Sequence, residues 1–224
     1  MEIKTILAKL DEGRQYRDID VSSFERRADG DGGMTVTGYA TTFNQPYELY
    51  RDAFDGYVYI VREQIDPNAF ADTDMSDVIM QYNHEGRVFA RVSNGTLDLA
   101  TDEHGLRIRA NLGGTEIGRQ LYEEINGGYT TKMSFGFRVG KDTRDKKEDR
   151  DAETGVTTIT VVRTILEFSK LYDVSAVSLP ANDATSISAR NFGEGVIAEI
   201  KQELLARQAR ERQKRKIKLM MEVS

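Results

Sequence analysis

Cysteine is absent from this chain of 224 residues. That absence excludes a disulfide framework, a thiol nucleophile and metal sites built on thiolates. Long apolar runs are missing as well, since no stretch of the sequence approaches the roughly 18 residues needed to span a bilayer. Residues 3–10 lack the small-residue cleavage site of a signal peptide. We therefore expect a cytoplasmic protein without a membrane segment, in which any covalent catalysis uses a group other than a thiol.

Neither charge sign dominates, because 31 lysines and arginines face 37 acidic residues and leave a net charge of −6. This balance argues against a general nucleic-acid binder. Histidine is scarce, with His84 and His104 alone, so any histidine general base must be one of these two residues. Two histidines at these positions form no ligand pair, and we expect neither a metal nor a cofactor.

The length allows one sizeable core or two small ones, and we interpret the chain as one domain with tails. Residues 1–33 mix charges, end in the turn-rich Asp29-Gly-Asp-Gly-Gly33 and are predicted to be a flexible lead-in without chemistry. Residues 34–191 are predicted to form the domain. Residues 192–224 are predicted to form a basic helical tail, since residues 207–218 hold seven basic side chains and one acidic side chain.

Strand patterns dominate the predicted domain. β-branched and aromatic residues alternate or cluster between turn signals in nine segments, which predicts strands at 34–43, 57–62, 77–84, 87–94, 95–100, 106–112, 130–139, 156–163 and 165–179. One longer helix is predicted to begin after Thr115 and to end at Asn126-Gly-Gly128. Residues 141–155 carry both charge signs and are predicted to be a solvated hairpin loop. The predicted fold class is mainly β.

The predicted strand at residues 130–139 presents a hydroxyl group. Successive side chains of a strand point to opposite faces, so Ser134 and Gly136 share one face while the apolar residues between them share the other. Glycine inside a strand often marks the close approach of another backbone, and a peptide substrate would be such a backbone. Ser134 is therefore the candidate nucleophile. The alternative is that Ser134 is the polar position of a half-buried strand.

A nucleophilic serine needs a base within hydrogen-bond reach and a group that orients this base. His84 is the candidate base, because the unperturbed pKa of imidazole, about 6.5, lies near working pH. The alternative is an exposed side chain at the end of a strand. His104 lies in the polar turn Asp102-Glu-His-Gly105 and is expected to be a surface residue.

Asp173 is the candidate orienting acid. The two-residue period of its predicted strand places it on one face with Leu171, Ser175 and Val177, among mostly apolar side chains. An unpaired carboxylate there would cost several kcal/mol, which implies a partner. His84 is a suitable partner, because a buried carboxylate stabilises an imidazolium. The alternative partner is a hydroxyl or a backbone amide.

Six segments carry a resemblance to a known family: Gly38-Tyr-Ala-Thr-Thr-Phe-Asn44, Ile65-Asp-Pro-Asn-Ala-Phe70, Gln81-Tyr-Asn-His84, Gly105-Leu-Arg-Ile108, Asn126-Gly-Gly-Tyr-Thr-Thr-Lys-Met-Ser-Phe-Gly-Phe137 and Asp173-Val-Ser-Ala-Val-Ser-Leu-Pro-Ala-Asn182. They stand in the order seen in the prohead maturation proteases of tailed phages, and together they cover roughly residues 34–191. That family is similar in turn to the herpesvirus assemblin proteases, whose nucleophile is a serine.

The resemblance implies a mainly β (α+β) fold, namely an assemblin-like antiparallel β-barrel with a few surrounding helices and a C-terminal helical tail. It puts the histidine of the family on His84 and its serine on Ser134. The acidic residue falls on Asp173, where relatives often carry glutamate, so the reach of the shorter side chain is in question. His104 remains an outside candidate for the third member. The oxyanion hole, normally built from backbone amides, is not assigned.

The resemblance also implies a function. The expected protein is a serine endopeptidase that cleaves the scaffolding region of the major capsid protein and itself, inside the procapsid in the host cytoplasm. The capsid protein is the expected partner, self-association is left open, and neither nucleic acid nor a membrane is expected. The alternative is a non-enzymatic component of capsid assembly, whose basic tail binds an acidic partner surface.

Overall fold

The computed structural model describes residues 13–19, 25–29, 33–178 and 183–222. The described residues form eleven strands, two α-helices and one 3₁₀ turn. The strands are β1 Gln15–Ile19, β2 Glu25–Asp29, β3 Gly33–Thr42, β4 Tyr47–Phe54, β5 Tyr57–Ile65, β6 Ile79–Tyr82, β7 Glu85–Arg91, β8 Leu97–Thr101, β9 Gly105–Asn111, β10 Lys132–Arg150 and β11 Thr157–Val177. The helices are α1 Glu116–Asn126 and α2 Asp183–Glu222, and the 3₁₀ turn is Val92–Asn94.

Two sheets contain these strands. Seven strands form the larger sheet, in which β1, β10, β11, β5 and β4 are successive neighbours and β6 pairs with both β11 and β7. The smaller sheet has the order β2, β3, β9, β8. The main apolar core includes Phe135, Phe137 and Phe168, whose rings contact one another at centroid distances of 4.7 to 5.9 Å.

The hairpin of β10 and β11 is the longest feature of the larger sheet. Its two strands pair antiparallel from Lys132 opposite Val177 to Arg150 opposite Thr157. The first part of β11 also pairs in parallel with β5, and its last part pairs in parallel with β6. β11 is therefore hydrogen-bonded on both edges at residues 157–165 and 173–176, and the second of these ranges includes Asp173 and Ser175.

The mainly β fold class is confirmed, with two α-helices among the described residues. The predicted barrel is not confirmed, because the pairings of the described strands give two open orders and no closed ring. The predicted loop at residues 141–155 is wrong over most of its length, since β10 continues to Arg150. The chain turns at residues 151–156, where the Asp151 carboxylate accepts backbone hydrogen bonds from Glu153 and Thr154.

Regular secondary structure lies within or extends into both predicted tails. Strands β1 and β2 lie within the predicted lead-in, and residues 1–12, 20–24 and 30–32 of that lead-in are outside the described residues. Helix α2 begins at Asp183, nine residues before the predicted tail. Its residues Phe192, Val196, Ile197 and Ile200 are buried against β5 and β11, while its C-terminal half is exposed. No helix in the described ranges is long and apolar enough to cross a membrane.

Candidate active site

His84 lies in the two-residue turn that joins β6 to β7. Tyr82 pairs with Glu85, and the two central residues, Asn83 and His84, have φ angles of 51° and 61°. The tightest hairpins need positive φ at both central positions, which asparagine and histidine adopt more often than other residues with a side chain. Asn83 fixes the turn to β11, because its backbone N–H donates to the Ala176 carbonyl at 3.0 Å and its Oδ1 accepts from the backbone of Ser178 at 3.2 Å. The turn therefore holds the imidazole over the end of β11.

Ser134 lies on β10, opposite Ser175 of β11, and is completely buried. Its Oγ is 2.5 Å from Nε2 of His84. The other imidazole nitrogen, Nδ1, is 2.5 Å from Oδ2 of Asp173, which is also completely buried. The structure thus brings Ser134, His84 and Asp173 into one continuous chain of short hydrogen bonds, which we call the site cluster. The shorter side chain of aspartate reaches the imidazole.

The carboxylate of Asp173 has three polar partners. Besides His84, the Ser175 hydroxyl donates to Oδ2 at 2.8 Å, and the Arg14 guanidinium forms an ion pair with Oδ1. Burial by itself would raise the pKa of Asp173, but the hydrogen bond and charge of His84, the charge of Arg14 and the Ser175 hydroxyl together hold this pKa below its ordinary value. Asp173 is therefore ionised at neutral pH and favours a positive charge on the imidazole.

Gly136 makes room for this carboxylate. A side chain at position 136 would collide with Oδ1 of Asp173 and would approach the Tyr16 ring to 2.9 Å and Nε of Arg14 to 3.0 Å. Glycine at this place in a strand predicted the close approach of another backbone. The nearest atoms are instead side-chain atoms of Asp173, Tyr16 and Arg14, and β1 pairs with Gly136 through Tyr16.

β1 contributes contacts that the sequence analysis did not single out. The Tyr16 ring lies 4.4 Å from the His84 ring, and the carbonyl oxygen of Arg17 lies 3.0 Å from Oγ of Ser134. Nothing local in Gln15-Tyr-Arg-Asp-Ile19 marks it as part of a site, because its polar residues resemble the rest of the lead-in. Ser175 could have been found, since the two-residue period of its strand places it beside Asp173.

A second buried polar cluster lies on the other side of β1, and we call it the Glu63 cluster. Arg17 donates to both carboxylate oxygens of Glu63, at 2.6 and 3.1 Å, Arg163 donates at 3.1 Å and the Tyr47 hydroxyl donates at 2.6 Å. Burial would raise the pKa of Glu63, but the two arginine charges hold it below its ordinary value. Burial, together with the charge of Glu63, raises the pKa of Tyr47 well above its ordinary range.

His104 is not brought to the site cluster. It is exposed in the turn between β8 and β9 of the smaller sheet, where its ring meets the Tyr39 ring edge-on at 4.6 Å. Within the described part of the chain, no group of three or more histidine and acidic side chains is placed to hold a metal ion.

An open cleft of about 470 Å³ adjoins the turn that carries His84. Its walls come from the β6–β7 hairpin, including Asn83 and Glu85, and from α1, including Gln120 and Glu124. Access to Ser134 itself is closed by β1.

Comparison with known families gives one match. The family described as caudovirus prohead serine protease matches residues 20–197. No curated protein and no solved structure matches the chain. The matched region includes all three residues of the site cluster and begins after β1.

Proposed function

Since the chain belongs to the caudovirus prohead serine protease family, we propose that Ser134 is its nucleophile, His84 its general base and Asp173 the acid that orients His84. Family membership makes the protein a serine peptidase of capsid maturation, with a capsid protein as its substrate in the procapsid. We further propose that it cleaves the scaffolding region of the major capsid protein and its own chain, in the host cytoplasm.

The observation that carries this proposal is the pair of 2.5 Å contacts that joins Ser134 to His84 and His84 to Asp173. The ionised Asp173 accepts a hydrogen bond from Nδ1–H of His84, which leaves the Nε2 lone pair directed at the Ser134 hydroxyl. A neutral imidazole in this tautomer can take the serine proton. The positive charge that it then gains is stabilised by Asp173.

The reaction follows from these positions. Oγ of Ser134 attacks the carbonyl carbon of the peptide bond while Nε2 of His84 takes its proton. The imidazolium then returns this proton to the leaving nitrogen, the C–N bond breaks and an acyl-enzyme forms. Water then attacks the ester carbonyl carbon while His84 takes its proton, the C–Oγ bond breaks, and the imidazolium gives that proton to Oγ of Ser134. Side-chain oxygens and nitrogens of this chain supply every proton transfer, and the proposal includes neither a metal nor a cofactor.

A fluorophosphonate probe tests the assignment, because it reacts with an activated serine and not with an ordinary one. We expect the wild-type protein to gain one label on Ser134 and the Ser134→Ala variant to gain none. Ser169→Ala is the matched control, since Ser169 is an exposed serine on β11. Absence of label in the folded wild type and in every folded variant with a more accessible Ser134 would favour the non-enzymatic capsid component instead.

The C-terminal half of α2 supports a second part of the proposal. From Arg207 onward its described side chains are exposed and largely basic, and they include the apolar residues Ile217, Leu219, Met220 and Met221. We propose that this segment recruits the enzyme to an acidic surface of the assembling shell. Deleting residues 207–224 should reduce incorporation into procapsids and leave peptide cleavage intact. Unchanged incorporation would contradict this role.

A further inference from the structure

Three residues near the start of the described chain together contact every member of the site cluster. Arg14 forms an ion pair with Asp173, the Tyr16 ring packs on His84 at 4.4 Å, and the Arg17 carbonyl oxygen lies 3.0 Å from Oγ of Ser134. The consequence is burial: Ser134 and Asp173 are 0% exposed and the His84 side chain is 3% exposed. A peptide bond cannot reach Oγ of Ser134 while β1 is in this position.

β1 occupies the edge of β10 in the manner of a bound peptide. It pairs antiparallel with β10, with Arg17 opposite Phe135 and Asp18 opposite Ser134. Extended peptides commonly bind to proteins by adding a strand to a sheet edge, where main-chain hydrogen bonds supply the affinity. Since β11 takes the other edge of β10, the edge that β1 covers is the one beside Ser134 that remains for an incoming strand.

The contact between Ser134 and Arg17 is unproductive for hydrolysis. The serine hydroxyl has one proton and two acceptors within reach, Nε2 of His84 and the Arg17 carbonyl oxygen. If the proton goes to Arg17, then His84 must donate through Nε2 and cannot act as a base. Attack on Arg17 would also require its carbonyl oxygen to turn toward backbone donors, away from the nucleophile. β1 therefore lies where a substrate strand would lie, but its contacts with Ser134 do not allow hydrolysis.

The anchor that holds β1 lies on the opposite face of the sheet. The Arg17 guanidinium is buried and donates to both oxygens of Glu63, and Gln15 accepts hydrogen bonds from Arg17 at 2.9 Å and from Arg163 at 3.3 Å. Arg14, at the solvent side, is 35% exposed. Because the anchor is separate from the site cluster, it can be weakened without changing Ser134, His84 or Asp173.

We propose that β1 is a built-in blocking strand, which must leave the edge of β10 before an extended substrate peptide can pair there and present its bond to Ser134. This inference rests on the proposed function and names the regulation of that same site. The partner that displaces β1 is a peptide in β conformation. The capsid protein substrate and β1 thus compete for one edge.

Weakening the anchor gives the first test. Arg17→Ala removes the bidentate contact with Glu63, and we expect its fluorophosphonate labelling rate to exceed that of the wild type at least tenfold. Arg51→Ala is the matched control, because Arg51 makes the same bidentate contact with Glu48 on the exposed surface of β4. We expect Arg51→Ala to label at the wild-type rate. A folded Arg17→Ala protein that labels no faster than the wild type would overturn the proposal.

A second measurement needs no variant, which matters if Arg17→Ala fails to fold. Labelling forms an O–P bond at Ser134 and expels fluoride, and the bulky phosphonyl group cannot fit where the Arg17 carbonyl lies 3.0 Å from Oγ. In the labelled wild-type protein we expect the amides of residues 15–19 to exchange with solvent at least tenfold faster, while those of β5 and β9 are unchanged. Full protection of β1 in the labelled protein overturns the blocking strand but leaves the serine protease intact. Absence of label in every folded variant overturns both.

Discussion

Alternate residues of β1 contact two buried polar clusters that are built from similar short hydrogen bonds. The site cluster joins Ser134, His84 and Asp173, and the Glu63 cluster joins Arg17, Arg163 and Tyr47 to one carboxylate. Each has a completely buried acid at its centre, Asp173 or Glu63. In both, neighbouring positive charges and hydrogen bonds hold the pKa of this acid below its ordinary value against the effect of burial.

The donors distinguish the two clusters. In the Glu63 cluster they are guanidinium groups, which stay protonated in proteins, and the Tyr47 hydroxyl, whose pKa is raised further. Its protons are therefore fixed, and its contribution is to stability. In the site cluster an imidazole lies between a hydroxyl and a carboxylate, so a proton can move between two heavy atoms without breaking the fold. Burial and charge pairing alone thus do not identify a catalytic group.

The largest difference in labelling rate is expected between the variants in which each of the two histidines is replaced by alanine. His84→Ala removes the proposed general base, and we expect the rate of fluorophosphonate labelling to fall about 10³-fold, within the range typical of general-base catalysis. His104→Ala makes the same change at an exposed residue in the turn between β8 and β9, and it should leave the labelling rate unchanged. Equal rates for both variants would remove His84 from the mechanism.

Glu63→Gln should affect stability more than chemistry. It leaves the buried Arg17 guanidinium without a carboxylate, while Arg163 keeps its ion pair with Asp142, and we expect the free energy of unfolding to fall by about 3 kcal/mol. Urea denaturation measures this loss. The control Glu48→Gln breaks an exposed pair with Arg51 and should cost less than about 1 kcal/mol. A similar small loss of unfolding free energy in both variants would show that the Glu63 cluster does not hold β1 in place.

Gly136→Ala should disturb the site cluster by steric conflict alone. The added methyl group meets Asp173 and the Tyr16 ring, and overpacking of this kind costs about 1–3 kcal/mol of unfolding free energy. Because Asp173 must shift, labelling of Ser134 should slow as well. The control Gly114→Ala adds a methyl group with no atom within 4 Å. If Gly136→Ala is as stable and as reactive as its control, Asp173 is not held as described.

The smallest effect is expected in the contribution of Asp173 to the pH dependence of the unfolding free energy. The folded-state pKa of Asp173 is lower than its unfolded value, so its ionised form contributes stability above about pH 4. That contribution is lost as the pH falls toward the folded pKa. The difference in unfolding free energy between wild type and Asp173→Asn should therefore narrow below about pH 4. A constant difference from pH 7 to pH 3 would contradict the ionised, paired carboxylate.

The three members of the site cluster could be singled out from the sequence because each leaves a local signal. A serine beside glycine in a strand, one histidine that ends a strand and an acid among apolar neighbours are all visible within ten residues. Their contacts are long range, since Ser134 and His84 differ by 50 in residue number and His84 and Asp173 by 89. The local sequence patterns therefore identified the candidate residues. The catalytic roles of these residues are part of the proposed function.

The contacts of β1 could not be predicted in the same way. Arg17 is buried because Glu63, 46 residues later, provides a carboxylate, and no local pattern encodes that pairing. Residues 141–150 were predicted to be a loop for a related reason. Their charges suit solvent, and indeed most of them are exposed, but β11 supplies backbone partners along the whole segment. In both cases a distant partner overrides the local preference.

The central claim, that Ser134 is the nucleophile of a self-cleaving protease, is tested most directly by the intact mass of the purified chain over time. Wild type, Ser134→Ala and the control Ser169→Ala should be incubated side by side. The account predicts that the wild type and Ser169→Ala shorten together while Ser134→Ala keeps its full mass, and the lost fragment locates a cleavage site. Shortening of Ser134→Ala at the wild-type rate would contradict the account.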